Sequence, residues 1–361
     1  MKVLHICSEN TWRGGERQIA YLICELEKLN VKSYVVCRKG SVFEEYCKNN
    51  LIEYTSLPFK SSYEITSAIR IKKLCKYNDI DILHMHSSKG HTLGVISSLL
   101  GNKSKLVLSR RVDFPVKNWL SKWKYNYSPI KKIICVSERI KEVMSPFIKD
   151  KKRLVVAHSG IDINRFNGMM NSKILHYEYG LSDDTKIVAN ISALADHKDY
   201  PTFINVVKEF KNICNKKVKF FIVGEGSLKY EIESLIEENE LNNDIIMTGF
   251  RNDIADIFLE LNVFLITSKE EGLGTTVLDA FASKIPVVAS AGGGIPEMIE
   301  HDTTGLLYEI GDFKGMAEGV KLLLENDEVV QRLTNEATNK LIGEFTNDIT
   351  AKKTLEVYEN L

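Results

Sequence analysis

The chain has no apolar stretch near the roughly 20 residues that a membrane-spanning helix requires. It has no C-x-x-C spacing either. Its seven cysteines (Cys7, Cys24, Cys37, Cys47, Cys75, Cys135, Cys214) are odd in number and scattered. That pattern argues against a disulfide framework or a zinc ribbon and suits a reducing cytoplasm. Low-complexity segments and short-period repeats are absent, which sets aside solenoids and linker arrays. The opening MKVLHIC carries one lysine and an apolar run too short for a signal-peptide core, so it reads as a first β-strand. Overall charge is missing too: 48 Lys+Arg stand against 48 Asp+Glu.

That zero hides a division. Residues 1–160 hold 29 basic and 14 acidic side chains, a net of +15; residues 161–361 hold 19 and 34, a net of −15. Opposite fields on two halves predict two domains with different tasks, and 361 residues suffice for two cores. Short apolar runs alternate with helical patterns throughout. KVLHIC, SYVVC, IEYTSL, DILHMH, KLVLS, KKIICVS and LVVAHS fill the first half; KIVANIS, KFFIVG, DIIMTG, VFLITS, PVVAS and TGLLY fill the second. In ERQIAYLICELEKL, Ile19, Leu22, Ile23 and Leu26 recur at helical spacing. Apolar strands alternating with helices predict α/β domains with parallel sheets covered on both faces. The expected layout is two Rossmann-like domains facing a central cleft, 1–160 and 161–345. A final helix, 346–361, packs back toward the first, and the hinge lies near HSGIDINRF.

The stretch KEEGLGTTVLDAFASKIPVVAS, from Lys269 to Ser290, follows the apolar run Val263–Ser268. In open α/β sheets, ligands bind beyond the carboxyl ends of strands, where helix N-termini present free N–H groups. Gly272 and Gly274 permit close backbone approach, and the amides near Thr275 and Thr276 would open a helix able to hold a phosphate. Glu271 stands at the mouth of this turn, and Asp279 about one helical turn inside. Carboxylates bind adjacent sugar hydroxyls through charge-assisted bonds, so the spacing suits a ligand with a diphosphate between two sugars. The plain alternative is a helix start with acids near its positive dipole end.

SKEEGLGTTVLDAFASKIPVVASAGGGIPEMI resembles the E-x7-E region of family-4 retaining glycosyltransferases of the GT-B fold. The similarity continues in WRGGERQIAYLICEL, VVAHSGIDINRF, HKDYPTFI, FFIVGEGSL, IIMTGFRNDI, TTGLLYEIGD and VYENL, in the family's order and along nearly the whole chain. The resemblance implies a transferase that moves a sugar from a nucleotide-diphosphate sugar to an acceptor hydroxyl with retention. Attack comes from the front face, and a donor phosphate oxygen helps to take the acceptor proton. A UDP-sugar is favoured over a GDP- or ADP-sugar, with no further cofactor.

Position by position, the resemblance implies that Glu271 contacts the donor sugar, aided by backbone amides of Gly272, Leu273, Gly274 and Thr275. Asp279 takes the ribose-binding position, where the family usually has Glu. Lys198 neutralises the donor diphosphate, while the partner arginine of the family falls on Ala193. Gly14 and Gly15 match the loop that closes over the phosphates. Where the family often has a histidine after the fifth strand, this sequence has Arg110 and Arg111, either of which would supply the missing charge or bind an anionic acceptor.

Other features admit plainer readings. His84 and His86 lie on the same side of a strand end. A metal pair lacks an evident third ligand, so no metal is expected, and His86 is kept as an acceptor-side candidate. Asp79 and Asp81 mimic a metal-binding D-x-D but read as capping before a strand. Gly224–Gly226 and Gly292–Glu297 read as turns beside the donor. In Lys117–Lys132, a helix would gather Trp119, Leu120, Trp123 and Tyr127 on one face and leave Lys122 and Lys124 wet. With 15 basic and 4 acidic residues between 103 and 153, this region predicts a surface for an anionic membrane and a peripheral location on its inner face. The acceptor is then a saccharide or a lipid-linked molecule in polysaccharide, lipopolysaccharide or glycolipid synthesis. An epimerase of the same fold and a two-domain sugar-binding protein are the rival readings. A nucleic-acid partner is excluded, since it would leave Glu271, Asp279 and the glycine turns unexplained.

Overall fold

A computed structural model describes residues 1–61 and 63–361. Each apolar run named above becomes a strand: β1 (Lys2–Cys7), β2 (Lys32–Arg38), β3 (Tyr54–Leu57), β4 (Ile82–Met85), β5 (Lys105–Arg110), β6 (Ile130–Cys135) and β7 (Leu154–Val156) in the first half. The second half gives β8 (Lys186–Ile191), β9 (Val218–Val223), β10 (Ile245–Gly249), β11 (Val263–Ile266), β12 (Val287–Ser290) and β13 (Leu306–Tyr308). These short runs are buried because a parallel sheet covered by helices hides both faces. All four residues of β11 are inaccessible, for example.

The chain divides into two compact units, Met1–Ile161 with Thr346–Leu361, and Asp162–Phe345. The first holds a seven-stranded sheet in the order β3-β2-β1-β4-β5-β6-β7, and the second a six-stranded sheet in the order β10-β9-β8-β11-β12-β13. All pairings are parallel. Two Rossmann-like parallel α/β units, as the alternating pattern predicts, are therefore present. The final helix, Asn347–Glu359, belongs to the first unit. Its Ala351 and Tyr358 join Val3, Leu22, Leu26, Ile82 and Val107 in one buried cluster. Burying an apolar side chain of this size contributes roughly 1.5–3 kcal/mol. Thr346 pairs with Ile161 at the crossover, and the Asn347 amide donates to the Ile161 carbonyl at 3.0 Å.

Strand order reverses between β1 and β4 in one sheet and between β8 and β11 in the other. Crevices at such switch points, beyond the carboxyl ends of the strands, are where open α/β sheets receive ligands. Lys198 follows β8 and Glu271 follows β11; Gly14 follows β1 and His86 follows β4.

Candidate donor site and its surroundings

The loops after β8 and β11 are stapled together by their backbones. Lys269 and Glu270 both donate amides to the His197 carbonyl, at 2.8 and 3.4 Å. Thr267 Oγ1 donates to the carbonyls of Lys198 and Asp199, each at 3.1 Å. Asp199, at φ 53°, ends the turn and starts the helix Tyr200–Ile213, and its carboxylate takes Thr202 Oγ1 at 2.7 Å and Lys269 Nζ at 3.1 Å. This frame aims Lys198 at Glu271. The ammonium donates directly to Glu271 Oε1, which also accepts from Ser268 Oγ at 2.9 Å. Ser290 Oγ in turn holds the Ser268 carbonyl at 2.6 Å.

Behind Glu271, the Gly292–Gly294 turn presses backbone against backbone. A Cβ at Gly293, where φ is +57°, would lie 2.1 Å from the Glu271 carbonyl oxygen, so no other residue fits there. Gly294 donates its amide to that same carbonyl at 3.0 Å. Gly274, at φ 90°, caps the helix Thr275–Ala282, and Leu273 is buried beside it. Gly272, Gly274 and Thr275 are partly exposed at the helix opening. Asp279 lies inside this helix and is only 2% exposed, with Arg165 Nη1 3.2 Å from its Oδ1. Arg165 comes from the short 3-10 helix Ile163–Phe166 and stacks over Phe166. Ala193 stands exposed, and Lys269, on the adjoining loop, is paired with Asp199.

In the other unit, Gly14 and Gly15 open the helix Gly14–Lys28 rather than a preceding loop. A Cβ at Gly15 would meet nothing within 4 Å. The Glu16 carboxylate accepts the Arg13 amide at 2.8 Å, which fixes this start, while burial pushes its pKa up. Arg110 and Arg111, treated as equivalents in the sequence, differ here. Arg110 donates to Tyr125 Oη at 2.9 Å and to the Phe114 carbonyl, and lies over both rings. Arg111 donates to Ser159 Oγ at 3.3 Å, its Nε is buried without a partner, and burial lowers its pKa to about 10. His86 is buried and bonds through Nε2 to His5 Nδ1 at 3.0 Å. Sequence reading missed His5, together with Ser268 and Arg165, and it named Gly293 only within the turn Gly292–Glu297. His5, Arg165 and Gly293 meet their partners across separate segments, whereas Ser268 reaches Glu271 within its own loop.

The expectation for Lys117–Lys132 needs correction. The helix covers only Trp119–Tyr125 and ends at Asn126, whose side-chain amide donates to the Lys122 carbonyl at 2.8 Å. Lys124 is not wet: it is buried and its ammonium donates to Thr92 Oγ1 at 2.8 Å. The tryptophans turn outward instead, Trp119 being 78% and Trp123 44% exposed, with Phe114 and Val112 exposed in the preceding loop. Asp81 Oδ2 accepts the Lys2 amide at 2.8 Å. Asp79 and Asp81 line a cavity of about 870 Å³ at the amino end of the sheet, with Lys72, Lys76, Lys103 and Lys105.

The family profile described as "Glycosyl transferases group 1" matches residues 171–340, and "Glycosyltransferase Family 4" matches residues 12–165. The two cover both units. This chain is a family-4 glycosyltransferase. The N-acetyl-alpha-D-glucosaminyl L-malate synthase of Bacillus anthracis is 25% identical over 309 residues, 83% of this chain and 78% of that protein. The UDP-Gal:alpha-D-GlcNAc-diphosphoundecaprenol alpha-1,3-galactosyltransferase of Escherichia coli is 25% identical over 301 residues, 78% and 76% of the two chains. A crystal structure of Anabaena HepE in complex with UDP and glucose matches with a TM-score of 0.86 at 18% identity, covering 100% of each chain. The fold of this transferase is GT-B. The epimerase alternative gains no support from these relatives.

Proposed function

We propose that this glycosyltransferase is retaining and needs no metal for transfer. It moves a sugar from a UDP-sugar to a hydroxyl of a lipid-linked or envelope saccharide. The observation that carries the reading is the Lys198–Glu271 contact at the switch point between β8 and β11, supported by Ser268 and by the glycine turn. Glu271 binds donor-sugar hydroxyls as a charged acceptor. Lys198 has three N–H donors and can hold Glu271 and a phosphate oxygen together. The amides opening the helix Thr275–Ala282 add their partial positive charge to the departing diphosphate. Asp279 receives the ribose. A fixed ammonium and helix amides supply the leaving-group charge that a Mg²⁺ ion would otherwise carry. Arg111, whose guanidinium is not taken up by Tyr125 and the Phe114 carbonyl as that of Arg110 is, is better suited than Arg110 to an anionic acceptor.

No helix among the described residues is long and apolar enough to cross a membrane. The exposed Trp119, Trp123 and Phe114, set among lysines, support docking on the inner face of an anionic membrane, where indoles favour the headgroup region. The lipid-linked acceptor is supported by the diphosphoundecaprenol substrate named for the E. coli relative.

A screen of UDP-, GDP- and ADP-sugars for binding and slow hydrolysis tests the donor, and NMR of the first product tests retention. Transfer in EDTA should match transfer in Mg²⁺. Glu271→Gln should abolish transfer while nucleotide diphosphate still binds. A strict Mg²⁺ or Mn²⁺ requirement, or an inverted product, would overturn the corresponding part.

A further inference from the structure

We propose that His5, His84 and His86 form a binding site for one divalent ion of the zinc, cobalt, nickel or copper class, one that pins β1 to β4. The inference is independent of the donor chemistry and concerns the first unit alone.

The sheet register creates the cluster. β1 and β4 pair in parallel with His5 opposite His84, and the His86 amide donates to the Ile6 carbonyl at 3.2 Å. Residues two apart on a strand share a face, so all three rings gather on one side of the sheet. His5 Nδ1 and His86 Nε2 are 3.0 Å apart, and one ring nitrogen from each histidine lies within 4.8 Å of the other two. Ring centroids are 3.9 Å apart for His84–His86 and 5.2 Å for His5–His86. All three side chains are buried, His5 and His84 completely.

Two features favour an ion over a plain hydrogen-bonded stack. His5 Nε2 and His86 Nδ1 are buried and have no partner, a condition native interiors avoid. His84, by contrast, has outer contacts on both nitrogens: Nδ1 to Tyr358 Oη at 2.5 Å and Nε2 to Ser109 Oγ at 2.8 Å. Whichever nitrogen took the metal, the other would keep the orienting contact typical of metal-bound imidazole.

The donor set selects the ion class. Imidazole suits zinc, copper, cobalt and nickel, whereas magnesium, calcium and manganese favour oxygen ligands. Three ligands with an open fourth position match a common imidazole–zinc arrangement.

The test uses the untagged full chain expressed with zinc or cobalt in the medium, because buried rings must be loaded as the chain folds. Elemental mass spectrometry should find about one ion per folded chain, as for a preformed site. The cobalt form should show the visible absorption of four-coordinate cobalt. Removing the metal with a chelator should lower the melting temperature by a few degrees. His5→Gln and His86→Gln should lose the metal, while the exposed His301→Gln should retain it. Wild-type protein holding less than about a tenth of an equivalent of any of the four metals overturns the site. So does equal metal retention in a His5→Gln, His86→Gln double variant. If the variants do not fold, wild-type metal content and the cobalt spectrum decide alone.

Discussion

Arg165 Nη1 lies 3.2 Å from Asp279 Oδ1, joining the segment just after the first unit's sheet to the helix that opens at Gly274. The carboxylate is almost fully buried and the guanidinium about a quarter exposed. The family's usual Glu is one methylene longer. Arg165 thus helps to fix the orientation of the shorter acid. Removing one partner of such a pair reduces the compensation of a buried charge, which costs more than the pair contributes.

Arg165→Met should therefore lower the melting temperature, and adding Asp279→Asn should recover part of the loss. Asp279→Ala alone should weaken nucleotide diphosphate binding by about 1.5–3 kcal/mol, the worth of a charged hydrogen bond. Calorimetric titration and thermal unfolding of the three variants check both expectations. Full nucleotide affinity in Asp279→Ala would remove the ribose assignment.

Gly293→Ala should impair transfer more than it lowers stability. Its Cβ would press on the Glu271 carbonyl, so the loop carrying Glu271 must move. Gly343→Ala is the comparison: its Cβ would meet nothing within 4 Å, and alanine favours a helix by roughly 0.5–1 kcal/mol. Turnover and melting temperature measured on both variants separate a displaced loop from a general loss of folding.

Liposome co-sedimentation tests the membrane surface. Binding should require anionic lipid, fall with salt, and drop when Trp119 and Trp123 become alanine, since basic residues near such a surface contribute about 1 kcal/mol each. Indifference to anionic liposomes at low salt would favour a soluble acceptor.

Acid should destabilise the first unit through His91. Burial, and then the nearby Lys124 ammonium, lower its pKa from 6.5 to about 3. A proton therefore binds the unfolded chain first, and stability is lost as pH falls from about 6.5 toward 3. Across that window wild type should lose about 1.4 kcal/mol per pH unit more than His91→Gln. Urea unfolding at several pH values measures the difference; parallel curves would show that His91 protonates equally in both states.

The thirteen strands were legible because each is a short apolar run bounded by polar residues, and burial on both sheet faces leaves that imprint without help from distant contacts. The glycine turn with Glu271 was legible for a related reason: backbone approach and a helix start are local demands that select glycine and threonine. The chain by itself could not rank Arg110 against Arg111. The difference lies in Tyr125 and the Phe114 carbonyl, which occupy the Arg110 guanidinium, while that of Arg111 turns to Ser159. Lys124 was misread because helical periodicity gives spacing but not the direction of the buried face. Here Thr92, from another helix, draws the lysine inward and the tryptophans stay out. His5 joined His84 and His86 only through the parallel register of β1 and β4, a pairing across nearly eighty residues that no local pattern encodes. Local sequence determined the elements and the donor turn; strand register and side-chain competition, both long-range, decided which charged groups and rings meet.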